Sequence, residues 1–242
     1  MFLGVDSLNF GAFNLLKNNI GYQALKKYFC AYTDLAKSYQ PHNPFPFINP
    51  SRSLIMTAQQ VQTINGVAPS ELQELIKAVS QDADQGQLTF HASTFWVDGV
   101  RSVTHMKSFE WAGQSYARNF TLTIDEPEEI GGTNTGPNPQ EVLLSAVNAC
   151  ILATFVSLCS IQEIKLEKLE ITSTGKLDLR GFFKLDETVP AGYHDLHWTL
   201  TVKGNATPEQ FQQVYEATLT ASPNAWNLMH PVTIRPELQV EP

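Results

Sequence analysis

The apolar positions of this 242-residue chain change their period several times. Up to about residue 40, Phe13, Leu16, Ile20, Leu25, Tyr28, Phe29, Tyr32 and Leu35 recur at three- and four-residue spacings, which predicts helix. Four prolines between Gln40 and Ser51 then exclude a helix or central strand and predict an extended arm carrying Phe45 and Phe47. Asn65-Gly66 marks a turn, and Pro69-Ser70-Glu71 opens a helix whose apolar face is Leu72, Leu75, Ile76 and Val79. After Gly86 the period becomes two. Leu88, Phe90, Ala92 and Thr94 alternate with polar residues and continue into Phe95-Trp96-Val97. Asp98-Gly99 and Ala112-Gly113-Gln114 predict two hairpins, with strands at Arg101 to Phe109 and Phe120 to Ile124.

The turn-rich run from Asp125 to Gly136 ends in Asn138-Pro139, which suits a helix start with Asn as N-cap and Gln140 and Glu141 in the first turn. The helix that follows is apolar almost all round, so one sheet cannot cover it and a second copy of the chain is the natural cover. It is also membrane-like from Val142 to Leu158, but Ser145, Asn148, Thr154 and Ser157 interrupt that run, and a core helix is the better reading. Strands are predicted at Leu166 to Lys176, Leu179 to Leu185 and Leu196 to Lys203. A helix opens at Thr207-Pro208-Glu209, a short one at Ser222-Pro223, and an edge strand broken by Pro236 runs from Val232 to Val240. Antiparallel strands interleaved with helices make the fold class α+β.

Composition is globular, with 43% hydrophobic residues, and the net charge of −8 without any basic run argues against nucleic acid or an anionic membrane as partner. The N-terminus is a poor signal peptide. Cys30, Cys150 and Cys159 are too few and irregular for a disulfide framework, so a reducing, cytoplasmic setting is expected. Scattered histidines give no metal site, and no cofactor is implied.

The run GGTNTGPNPQEVLLSAVNAC resembles the OsmC/Ohr family of thiol peroxidases. LDLRGFF, VPAGYHDLHWTLTV, the T-P-E-Q helix start and the late A-S-P motif agree with it in order. The resemblance covers Ile64 to Pro242, so the chain divides into a 1–60 extension and a 61–242 OsmC-like domain. It implies an intertwined α+β homodimer with antiparallel sheets around a long buried central helix and active sites at the subunit interface. It also implies reduction of organic hydroperoxides by a peroxidatic cysteine, activated by an arginine and a carboxylate and resolved by a second cysteine.

Cys150 matches the peroxidatic position, and its thiol needs a nearby cation because an ordinary thiol is mostly protonated at neutral pH. Arg101 is the candidate activator, with Arg118 as fallback. Where the family carries glutamate this chain has Gln140, with Glu141 adjacent but turned by about 100° on a helix. Where a resolving cysteine is expected stands Ser222, which reads as an N-cap. Cys159 lies roughly 13 Å further along the helix, too far to resolve Cys150 within one chain. Cys30 is a remote alternative. Trp226 and Met229, with Ser222, are candidate substrate-lining residues beside His230. The leading expectation is a one-cysteine peroxide reductase recycled by an external thiol. The alternative keeps the fold but binds a small apolar ligand or a partner at the dimer-interface pocket without redox turnover, and Gln140 and Ser222 favour it.

Overall fold

The structure is a computed structural model that describes residues 61–242. The helical extension and the proline-rich arm expected within 1–60 lie outside the described residues. The described chain is α+β, with two antiparallel sheets and one long helix. Asn65 at φ 55° and Gly66 at φ 79° form the expected tight turn. The Asn65 side chain then donates to Ser160 Oγ and the Ile164 carbonyl and accepts from the Leu166 amide, which pins the start of the domain to residues a hundred positions away. Helix α1, Pro69–Gln81, begins at proline as predicted.

The first sheet is built on β3, Arg101–Trp111. Along one of its edges lie β1, Leu88–Phe90, and β2, Ser93–Asp98, while β4, Gln114–Ile124, pairs with the other edge. The alternation read as one strand from Leu88 to Val97 is therefore broken at His91-Ala92, and β4 starts six residues earlier than its apolar part suggested. Residues opposed across antiparallel strands share a face. Phe90 opposes Phe109, Phe109 opposes Tyr116, and Phe95 opposes Val103, so one face carries an aromatic row. Phe90 stacks on Phe109 at 6.0 Å and Phe109 on Tyr116 at 5.1 Å. Much of that face is open: Phe90 is 69% exposed and Phe95 55%.

The chain then turns through Pro127 to Asn138 into α2, Pro139–Ile161. The turn is organised by Asp125, a buried carboxylate. Its oxygens accept from the Glu126 amide and from both the amides and the hydroxyls of Thr133 and Thr135. These donors hold its pKa well below the usual carboxylate range, the Thr133 hydroxyl most of all. Only glycine fits at 132, because a Cβ there would overlap the Glu126 carbonyl. Asn138 caps α2 by accepting from the Gln140 and Glu141 amides, and the Glu141 carboxylate accepts in turn from the Asn138 amide at 2.8 Å.

The second sheet pairs β5, Leu166–Lys176, with β6, Asp195–Gly204. One stripe of α2, formed by Val147, Ile151, Phe155 and Cys159, is buried. Its neighbours are this sheet, helix α4 (Pro208–Ala221) and helix α5 (Pro223–Met229). Spacings of four residues put that stripe on one side. The remaining sides of α2 are apolar yet open, including Leu143 at 38% exposure. By length and composition α2 could also cross a membrane, but its buried stripe is an ordinary packed helix–sheet contact.

Two predicted strands are corrected. Leu179 to Leu185 contains a single helical turn, α3, Leu179–Phe182. Asp178 caps it by accepting from the Arg180 amide at 2.9 Å, and the Arg180 guanidinium folds back onto the same carboxylate. Those bonds hold the Asp178 carboxyl at about 2. Gly181 is pressed against the Pro190 carbonyl, where no side chain fits. Phe182, Phe183 and Leu185 consequently point outward, with Leu185 75% exposed. Val232 to Val240 forms no strand either. A strand needs an edge to pair with, and none of the described strands runs beside it; Ile234 and Leu238 are more than three-quarters exposed.

Candidate active site

Cys150 sits midway along α2, half-buried, one residue before the fully buried Ile151. Helix α5 crosses it. The Ser222 hydroxyl donates to Cys150 Sγ at 3.3 Å, and the Asn224 backbone N–H donates to the same sulfur at 3.5 Å. The Asn224 side chain donates to the Ala146 carbonyl, one helical turn before Cys150, at 3.0 Å. Ala225, fully buried, packs with Val147 and Ile151 beneath. The helix α4–α5 junction is thus fastened directly over the thiol.

Ser222 occupies the N-cap position of α5 as predicted, but its hydroxyl makes no capping bond. It is completely buried and directed at sulfur instead. Asn224 was missed by the sequence reading. Its amide contribution is backbone, and its only sequence signal is its place two residues after Ser222.

Cys159 differs from Cys150 in every respect that matters chemically. It is fully buried in the cluster of Phe155, Ile164 and Val214, and burial pushes its thiol up to about 12. The packing role expected for it is the observed one. Cys30 lies outside the described residues.

Among the described residues, no hydrogen bond joins the other candidates to the Cys150 sulfur. Arg101 starts β3 beside the hairpin turn, paired across it with Asp98, and among the described residues it makes no ion pair or side-chain hydrogen bond. Arg118 lies over the Phe120 and Phe109 rings, at 4.7 and 5.7 Å from their centroids. Gln140 is in the first turn of α2, ten residues and about 15 Å along the axis from the thiol. Its carbonyl accepts from the Tyr193 hydroxyl at 3.2 Å. Glu141 is engaged in the capping box. Trp226 and Met229 are each about half exposed on α5, not packed in the core. The Trp226 ring stacks on His230 with centroids 3.7 Å apart. A separate cleft of about 550 Å³, lined by Phe155, Leu200, Val202, Phe211 and Tyr215, lies between β6 and α4 and does not include the Cys150 sulfur.

Residues 132–237 match the family model of OsmC-like proteins, a span that includes Cys150, Ser222 and Asn224. The chain therefore carries an OsmC-like domain. No curated protein matches the chain. Among solved structures, it is similar to an OsmC-like protein from Mycoplasma pneumoniae, at 16% identity and a TM-score of 0.47, covering 59% of this chain and 89% of that one. It is also similar to an organic hydroperoxide resistance protein OsmC from Legionella pneumophila, at 18% identity and a TM-score of 0.41, covering 59% and 90%. An OsmC-like protein of unknown function from Vibrio cholerae aligns at 13% identity and a TM-score of 0.40, covering 56% and 90%.

Proposed function

We propose that this protein is a thiol-dependent hydroperoxide reductase in which Cys150 is the nucleophile and an external thiol the reductant. The observation that carries the reading is the contrast between its two described thiols. Cys159 is sealed in apolar core, whereas the Cys150 sulfur lies at a helix crossing, partly open and met by hydrogen-bond donors. The thiolate is the reactive form of such a sulfur. Cys150 also stands where the OsmC-like pattern carries its reactive cysteine.

The thiolate attacks one peroxide oxygen, so an S–O bond forms as the O–O bond breaks. The alkoxide released takes a proton and leaves as alcohol, and Cys150 becomes a sulfenic acid. A first external thiol condenses with the sulfenic acid, releasing water and forming a mixed disulfide. A second thiol attacks that disulfide, regenerates Cys150 and leaves as the oxidised external disulfide.

The working unit in this reading is a homodimer. The aromatic face of the first sheet and the open sides of α2 both need cover, and a second copy supplies it. Arg101, without an ion pair in its own described chain, is then available to the thiol of the second copy. The test is peroxide consumption by the full chain with cumene hydroperoxide. Rapid single-turnover consumption that disappears in Cys150→Ser is expected, and consumption unchanged by that substitution refutes the proposal.

A further inference from the structure

Resting on the reading of Cys150 as a peroxide-reducing thiol, we infer that Ser222 and the Asn224 backbone N–H form a two-donor seat for its sulfur. The seat positions the thiolate for attack and afterwards holds the oxygen that the sulfur gains.

Ser222 departs from the ordinary use of a serine at a helix start. A serine at a helix N-cap usually accepts from the amide two or three residues on. Here that exchange does not take place. The Ser222 hydroxyl donates to Cys150 Sγ, and the Asn224 amide, two residues on, donates to the same atom. Sulfur has taken the acceptor's place. Ser222 is completely buried, so in this geometry its proton is committed to the thiol.

The seat is also rigidly mounted. Asn224 Nδ2 holds the Ala146 carbonyl, and Ala225 packs without exposure on Val147 and Ile151. These contacts fix α5 on both sides of the sulfur. A hydroxyl and an amide are neutral donors, so they neither supply nor remove charge; they lower the energy of negative sulfur and of a negative oxygen bonded to it. Because serine has no sulfur, it cannot condense with the sulfenic acid to form a disulfide. The oxidised state is therefore a hydrogen-bonded sulfenic acid, open to a small external thiol and guarded against a second oxidation to sulfinic acid.

The experiment compares the full-length wild type with Ser222→Ala and Ser222→Cys, using cumene hydroperoxide, dimedone trapping and peptide mass spectrometry. Wild type should give a dimedone adduct on Cys150. Ser222→Ala should consume peroxide about tenfold more slowly, the effect of losing one hydrogen bond to a charged group. With excess peroxide it should accumulate more sulfinic acid at Cys150. Ser222→Cys, nearly isosteric, should replace the dimedone adduct by a disulfide between Cys150 and the introduced thiol. If Ser222→Ala melts like wild type and matches it in both peroxide rate and sulfinic acid yield, the seat has no such role, although the reductase reading stands. If wild-type Cys150 is labelled by iodoacetamide but consumes no peroxide, the reductase reading itself fails and the inference falls with it.

Discussion

Ser222 and Cys150, 72 residues apart in sequence, meet through a hydroxyl-to-sulfur hydrogen bond of 3.3 Å at the crossing of α5 over α2. The contact ties the last helix of the OsmC-like domain to its central one. It makes the chemistry of the thiol depend on the packing of both helices.

Phe155 is fully buried and belongs to the same stripe of α2 as Ile151. Phe155→Ala should cost about 3–5 kcal/mol in urea unfolding, the usual cost of truncating a buried phenylalanine. A loss below 1 kcal/mol would mean that the stripe is not the core of this domain.

Asn138 caps α2 and is bonded through its side-chain amide to Glu126. Asn138→Ala should lower stability by about 1 kcal/mol, and Asn138→Ser should lose less because serine caps as well and sets no charge against Glu126. Equal losses in chemical denaturation would remove the cap from the account.

Asp125 gives an acid-sensitive component. Its folded pKa is depressed by the threonine hydroxyls and amides, so its contribution is fully present above the unfolded value, about 3.9, and is lost as pH falls below it. Thermal melting of wild type should therefore fall more steeply from pH 5 to pH 3 than that of Asp125→Asn, which should already be less stable at pH 7. Parallel curves would contradict this role.

Cys159 should stay unmodified by iodoacetamide at pH 8 in the native protein and react only on unfolding, because burial pushes its thiol up to about 12. Peptide mapping should find Cys150 labelled under the same conditions. Native labelling of Cys159 would show that the lower core opens.

The uncovered aromatic face makes the quaternary prediction. Phe90→Ser combined with Phe95→Ser removes two large exposed rings from it. Wild type should sediment as a dimer and the double variant as a monomer with unchanged helix content. A monomeric wild type would leave the homodimer without support.

Much of this fold could be read in the sequence because local chemistry dictates it. Asn138-Pro139, Thr207-Pro208 and Ser222-Pro223 each open the predicted helix, and Asn65-Gly66, Asp98-Gly99 and Ala112-Gly113 each make the predicted turn. The misread segments are those where something beyond the local pattern decides. Leu179 to Leu185 has a β-like composition, yet Asp178, Arg180 and the close approach of Pro190 coil it. Val232 to Val240 has strand composition but no edge beside it in the described chain. At the site, the motif singled out Cys150, and helix length alone placed Cys159 out of reach. The use of Ser222 was hidden because a cap and a sulfur ligand look identical in sequence. Asn224 carries no such signal, because its backbone N–H meets the sulfur and its side chain reaches Ala146 only once the two helices cross. Arg101 illustrates another limit: its distance from Cys150 depends on tertiary geometry that no spacing reveals, whereas the separation of Gln140 from Cys150 follows from helix rise.

The central claim is that Cys150 reduces hydroperoxides, and stopped-flow mixing of the reduced full-length protein with cumene hydroperoxide tests it most directly. The account predicts one equivalent of peroxide consumed per subunit in a fast phase, a dimedone adduct on Cys150, and no fast phase in Cys150→Ser. A reduced wild-type protein that shows no fast phase, or a Cys150→Ser variant that keeps it, would contradict the account.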